Sequence, residues 1–184
     1  MWVQAGAPAA ALALSVNISA RDLIDPGFAE RVVGLLEHHG LSGRRLKLEI
    51  TETSLVRDPE AVRSGLERLA AAGVQISLDD FGTGYSSLSY VSRFPISEVK
   101  VDREFVARML ESPRDLDIVR STIHLAQELG LTVVAEGAET RRHLDLLAEL
   151  GCNLAQGWAV GRPEPLEKFI DRARQQPVRD DLDG

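Results

Sequence analysis

The sequence predicts an α/β protein, a modified TIM-type (β/α) barrel that is incomplete, with about six of the usual eight strands present. Three observations predict it. Short aliphatic runs alternate with longer amphipathic segments, a glycine closes each predicted helix just ahead of the next run, and each predicted strand ends in a side chain capable of chemistry.

The predicted strands are Leu14 to Ile18, Leu46 to Ile50, Val74 to Leu78, Val99 to Val101, Leu131 to Ala135 and Asn153 to Trp158. Between them, Phe28 to His39, Pro59 to Ala72, Asp115 to Leu129 and Thr140 to Leu150 place aliphatic residues at three- and four-residue spacing, the period of a helix with one buried face. Gly40, Gly73, Gly130 and Gly151 stand where a left-handed C-cap is wanted. Right-handed βα crossovers build either a doubly wound sheet or a barrel, and periodicity does not separate the two. The strand ends do. An open sheet gathers ligands at one switch point, whereas every strand of a barrel can deliver a residue to one mouth.

Bulk properties narrow the class. At 184 residues the chain holds one sizeable core but is short of the roughly 250 residues of a complete barrel. A formal charge of -7 opposes binding of polymeric nucleic acid, while a small anion with local cations stays compatible with it. The single Cys152 allows no internal disulfide, and with nothing pointing to an oxidising compartment the expected location is the cytoplasm. The apolar stretch from Ala5 to Leu14 has neither the basic flank of a signal peptide nor the length of a membrane span, so no membrane contact is expected. The expected organisation is an atypical N-terminal segment over residues 1–13, one folded domain over 14–174 and a polar tail over 175–184.

Read in order, the strand ends are Asn17, Glu49, Asp79 with Asp80, Lys100 with Asp102, Glu136 with Glu139, and Gln156. Nearly all are oxygen donors. Several carboxylates in one mouth need counter-charge, and Lys100 alone is not enough, so a hard divalent cation such as Mg2+ or Mn2+ is expected among them. The neighbouring Asp79 and Asp80 point to two ions, the arrangement that suits phosphodiester hydrolysis. None of the four histidines follows a strand: His38 and His39 end a helix, and His124 and His143 lie inside helical segments, which disfavours zinc and suggests solvated or helix-end roles. On residues alone two other readings stay open, a purely stabilising ion-pair network and an enolase-type site in which Lys100 removes a proton. The Phe81-Gly82-Thr83-Gly84-Tyr85-Ser86-Ser87 loop fits a lid or a phosphate cradle equally well.

Ser15-Val16-Asn17-Ile18-Ser19, Leu48-Glu49-Ile50-Thr51-Glu52, Asp79-Asp80-Phe81-Gly82-Thr83-Gly84, Val99-Lys100-Val101-Asp102, Ala135-Glu136-Gly137-Ala138-Glu139 and Gln156-Gly157 resemble, in order, successive motifs of EAL domains. The likeness covers Leu14 to Phe169. It implies hydrolysis of cyclic di-GMP to the linear dinucleotide with Mg2+ or Mn2+, most simply two ions. By position it implies that Asn17, Glu49 and Asp79 hold one metal and that Asp79, Asp80 and Glu136 hold the other. Lys100 and Gln156 then position water, Glu136 belongs to the catalytic set, and Asp102 and Glu139 support it from behind. Glu52 resembles the residue that anchors the Asp80 to Ser87 loop, which in the family couples the site to a homodimer. Two departures stand out. Trp158, Ala159 and Val160 replace a pattern that usually holds two aromatics, and the family's first two strands, with the glutamate of the Glu-Ala-Leu signature, find no counterpart ahead of Leu14. An alternative is therefore a catalytically impaired module that binds cyclic di-GMP or a protein partner.

Overall fold

The computed structural model describes residues 12–56, 58–81 and 91–175. Six parallel strands form one sheet: β1 (Leu14–Asn17), β2 (Leu46–Thr51), β3 (Gln75–Phe81), β4 (Glu98–Val101), β5 (Thr132–Glu136) and β6 (Leu154–Gln156). Their spatial order repeats their order in sequence, with no reversal and so no switch point, and the sheet curls into a half-barrel. This settles the choice between doubly wound sheet and barrel in favour of the barrel. Among the described residues β1 and β6 are the two open edges.

The helices are α1 (Ala20–Leu23), α2 (Phe28–His38), α3 (Glu52–Val56), α4 (Pro59–Ala71), α5 (Arg103–Arg108), α6 (Pro113–Glu128), α7 (Arg141–Glu149) and α8 (Leu166–Gln175). Every helix read from periodicity is present. The short α1, α3 and α5 escape that reading because four to six residues hold too little of a 3.6-residue period to register. All four predicted C-cap glycines have positive φ, between 62° and 85°.

Local signals set the helix starts. Asp58 Oδ1 accepts the Ala61 amide at 3.2 Å with Pro59 in the first turn, and Ser112 Oγ accepts the Asp115 amide at 3.3 Å with Pro113 behind it. The buried stripe of α4, Val62, Leu66 and Leu69, and that of α6, Val119, Ile123 and Ala126, pack onto the outer face of the sheet. There they meet Leu48, Ile50, Ile76, Leu78, Val99, Val101, Val133 and Ala135. Full burial of each large aliphatic contributes about 1.5 to 3 kcal/mol.

One histidine departs from expectation. His143 is buried at the start of α7, where Nδ1 accepts the Thr140 amide at 3.3 Å and Nε2 lies 3.3 Å from the Ala107 carbonyl oxygen. It ties α7 to the end of α5 rather than meeting solvent. Cys152 packs partly buried against the core, as expected, and burial pushes its thiol up. No helix among the described residues is long and apolar enough to cross a membrane. The glycine-containing loop from Gly82 and the polar tail from Gln176 lie outside the described residues.

Candidate active site at the strand ends

Parallel register partners point to the same side of a sheet, so the pairings decide which strand ends can meet. Asn17 pairs with Glu49, Glu49 with Ser77, Ser77 with Glu98, Lys100 with Val134, and Glu136 with Gln156. Stepping two residues along β3 and β4 stays on that side. Asn17, Glu49, Asp79, Lys100, Glu136 and Gln156 therefore share one face, the concave one.

At the centre is Lys100, 5% exposed. Its Nζ lies 2.8 Å from Glu49 Oε2, 2.6 Å from Glu136 Oε1 and 3.3 Å from Asp79 Oδ1. Burial opposes its charge, but hydrogen bonds to Glu136 and Glu49 outweigh that, and the ammonium pKa rises above that of a free lysine. Raised in this way, Lys100 stays protonated at neutral pH. Held by Glu49, Glu136 and Asp79, it stands in this structure as a cation and hydrogen-bond donor.

One ammonium faces three carboxylates, so the rim keeps an excess of negative charge. Asp80 registers it: burial first, then the charges of Asp79 and Asp102, push its carboxyl above the ordinary aspartate value, with Lys100 pulling the other way. The backbone here is also unusual. The β3 register shifts between Leu78 and Phe81, and Asp80 has φ 55°, the one positive φ outside glycine among the described residues. Such a conformation costs on the order of 1 to 3 kcal/mol and turns Asp80 away from the alternation that carries Asp79.

The expected residues do not all converge. Glu49, Asp79 and Glu136 meet at Lys100, Asn17 stands beside Glu49, and Gln156 beside Glu136. Asp102 caps α5, accepting the Glu104 amide at 2.6 Å. Glu139 is exposed and shares a cleft of about 560 Å³ with Asp102 and Arg103, apart from the Lys100 cluster. Glu52 is buried at the start of α3, while the loop it is expected to anchor lies largely outside the described residues. Among the described residues no group of three or more acidic, histidine or cysteine side chains stands preformed around a metal position. The reason is visible: Glu49 and Glu136 are turned onto Lys100. The donor set itself, carboxylates plus the Asn17 amide with surplus negative charge, still fits a hard divalent cation.

Backbone packing holds Gln156 beside Glu136. The Ala138 amide donates to the Gln156 carbonyl at 3.1 Å, the Ala159 amide donates to the Ala138 carbonyl at 2.9 Å, and a Cβ on Gly157 would lie 2.3 Å from that carbonyl oxygen. Only glycine fits there. Beyond it opens a cleft of about 810 Å³ that the strand-end reading missed, floored by Glu136 and Gln156 and lined by Arg103, Arg162 and Arg172 with Trp158 and Phe169. The Arg162 guanidinium lies 5.3 Å from the Trp158 ring centroid and that of Arg172 5.4 Å from Phe169. Arg162 and Arg172 sit on a loop and a terminal helix with no strand-end signal, although the Arg162-Pro163 pair just past Trp158 was a cue to follow.

A half-barrel of parallel strands with a polar, charge-rich site at their C-terminal ends defines an α/β-barrel protein whose business is done at that rim. More closely, the chain belongs to the EAL domain family, whose profile matches residues 2–163. It is 43% identical over 157 residues to the bifunctional diguanylate cyclase/cyclic di-GMP phosphodiesterase MucR of Pseudomonas aeruginosa, covering 85% of this chain and 23% of that protein. It is 39% identical to the cyclic di-GMP phosphodiesterase RocR of the same organism, covering 86% of this chain and 40% of the relative. Among solved structures, the MucR phosphodiesterase in complex with c-di-GMP superposes with a TM-score of 0.84 at 42% identity, over 91% of this chain and 67% of that one. The Klebsiella pneumoniae BlrP1 manganese/cy-diGMP complex superposes with a TM-score of 0.75 at 35% identity, over 82% of this chain and 39% of that one. The chain thus spans less than half the length of these curated relatives.

Proposed function

We propose that this chain carries the hydrolytic site of a metal-dependent phosphodiesterase that opens cyclic di-GMP to the linear dinucleotide. The observation that carries the reading is the Lys100 cluster, in which carboxylates from β2, β3 and β5 surround one buried ammonium and leave the rim net negative. Its relatives named as cyclic di-GMP phosphodiesterases, and similar proteins solved as c-di-GMP and manganese/cy-diGMP complexes, support it.

In this reading Asn17, Glu49 and Asp79 hold one Mg2+ or Mn2+ and Asp79, Asp80 and Glu136 a second. When bound, such ions supply an activated water and neutralise charge on the phosphate. Lys100 supplies positive charge to the phosphate and orients the attacking water, and the Gln156 amide orients that water from the neighbouring strand. Asp102 and Glu139 border the site without entering it. The arginine-lined cleft beside Glu136 and Gln156 suits an anionic nucleotide, with cationic groups for phosphates and the Trp158 and Phe169 faces for a base. A cytoplasmic homodimer, coupled through the loop anchored by Glu52, completes the reading.

Incubation of the purified chain with cyclic di-GMP and Mn2+ is expected to yield linear dinucleotide by chromatography, with E49A inert. Calorimetric binding of cyclic di-GMP without turnover at high enzyme concentration would replace the enzyme with a receptor. Sedimentation velocity giving only monomer removes the dimer.

A further inference from the structure

The concave face carries a second tier of charge that the proposed chemistry leaves unused. Lys47 Nζ lies 2.5 Å from Glu98 Oε2, and Ser77 Oγ donates to Glu98 Oε1 at 2.8 Å. The two side chains are only 16% and 5% exposed. This tier crosses the same three strands as the contacts among Glu49, Asp79 and Lys100, two residues further from the rim, with its charges reversed. In chain order β2 carries Lys47 then Glu49, and β4 carries Glu98 then Lys100. Each lysine reaches over β3 to the glutamate of the other strand.

A buried ion pair adds little stability over an apolar pair of equal volume, so stability alone does not account for it; fixing register is the best-attested use of such a pair. The hydrophobic pattern of these strands rejects a slip of one residue, because that turns Ile50 or Leu78 to the wrong face. A slip of two keeps every aliphatic residue on its own face, and the apolar pattern resists it far less. The reversed charges do resist it. Sliding β2 by two residues past β4 puts Glu49 in the place from which Lys47 now reaches Glu98, or Lys47 in the place where Glu49 now meets Lys100, like against like on a half-buried face.

We propose that Lys47 and Glu98 are positioning residues for Lys100: they fix the level of β2 against β4, and so determine that Glu49 is the β2 carboxylate that holds the ammonium. The catalytic consequence rests on the proposed phosphodiesterase reading; the positional claim does not. Removing both charges in K47M/E98L avoids stranding one of them, so thermal stability is expected to stay within about 2 °C of native. The turnover number for cyclic di-GMP is expected to fall about tenfold with KM within about twofold, because a misplaced group costs rate rather than binding.

A readout independent of catalysis is the 15N-detected ammonium resonance of Lys100 in Mg2+, assigned by its absence in K100M. In the native chain slow proton exchange is expected, and in K47M/E98L that protection is lost. If the double variant fails to fold, the reversed pair K47E/E98K keeps opposite charges across β3 while making both registers alike, and it is expected to broaden or split the same resonance. A native Lys100 resonance in whichever of these variants folds overturns the proposal. If the native chain shows no turnover, the phosphodiesterase reading fails while the resonance still decides the positional claim.

Discussion

The two faces of this sheet are built from alternate residues of the same six strands. On the helix-covered face Leu48, Ile50, Ile76, Leu78, Val99 and Val101 are buried against α4, α6 and their neighbours. On the concave face Lys47, Glu49, Ser77, Asp79, Glu98, Lys100 and Glu136 are joined by ion pairs and hydrogen bonds. The first face is non-directional and tolerates apolar exchange of similar volume, while the second depends on where each charge sits. The comparison teaches that stability and activity in this chain should separate by face, even between adjacent residues of one strand.

The largest effect is expected on the apolar face. Leu78→Ala should lose about 3 kcal/mol or more in urea unfolding by opening a cavity, with turnover per folded molecule unchanged within about twofold. A loss of turnover out of proportion to the unfolded fraction would break the comparison. One residue beyond on the chain and across the sheet, Asp79 faces Lys100, where Lys100→Met should lower kcat about 100- to 1000-fold. Because Glu49, Asp79 and Glu136 are then left without their shared cation, Mn2+ should raise the melting temperature of K100M more than that of the native chain. An equal rise in both would show that these carboxylates do not meet at one place.

At the junction of the two faces, Gly157→Ala should cost about 2 kcal/mol, because both its φ of 153° and the nearby Ala138 carbonyl exclude a side chain. It should also reduce turnover by shifting Gln156, and unchanged kinetics would separate that residue from the reaction. The smallest effect is expected furthest from the rim. Ser112→Ala should cost about 1 kcal/mol at neutral pH through loss of the α6 cap and leave kcat alone. The Ser112 hydroxyl and the Arg108 guanidinium hold the Asp115 carboxyl below the ordinary carboxylate value. A lowered acid stabilises the fold above the unfolded pKa and loses that contribution as pH falls through the folded one. The stability gap between S112A and native is therefore expected to narrow in acid, and chemical unfolding at neutral and acid pH measures it.

Much of this was legible in the residues. The six strands, the main helices and the capping glycines follow from period and from glycine's tolerance of positive φ, both properties of a short stretch of chain. Glu49, Asp79, Lys100 and Glu136 were identifiable because a barrel delivers strand ends to one rim. His143 was misjudged because its burial comes from α5, distant in sequence. Glu139, expected to support the site from behind, is exposed past the turn at Gly137 and lines a cleft with Asp102 and Arg103, a placement that chain order alone does not give. Arg162 and Arg172 gave no strand-end cue.

By itself, then, the sequence determined the alternation of elements, the apolar face and the oxygen-rich residue types at the rim, because each is encoded within a few neighbouring residues. Only the tertiary structure decided that Lys100 takes its partners from three different strands, that Lys47 crosses β3 to Glu98, and that arginines gather beside Gln156. Those contacts join residues tens of positions apart, and they depend on register and curl, which a linear pattern constrains but does not specify.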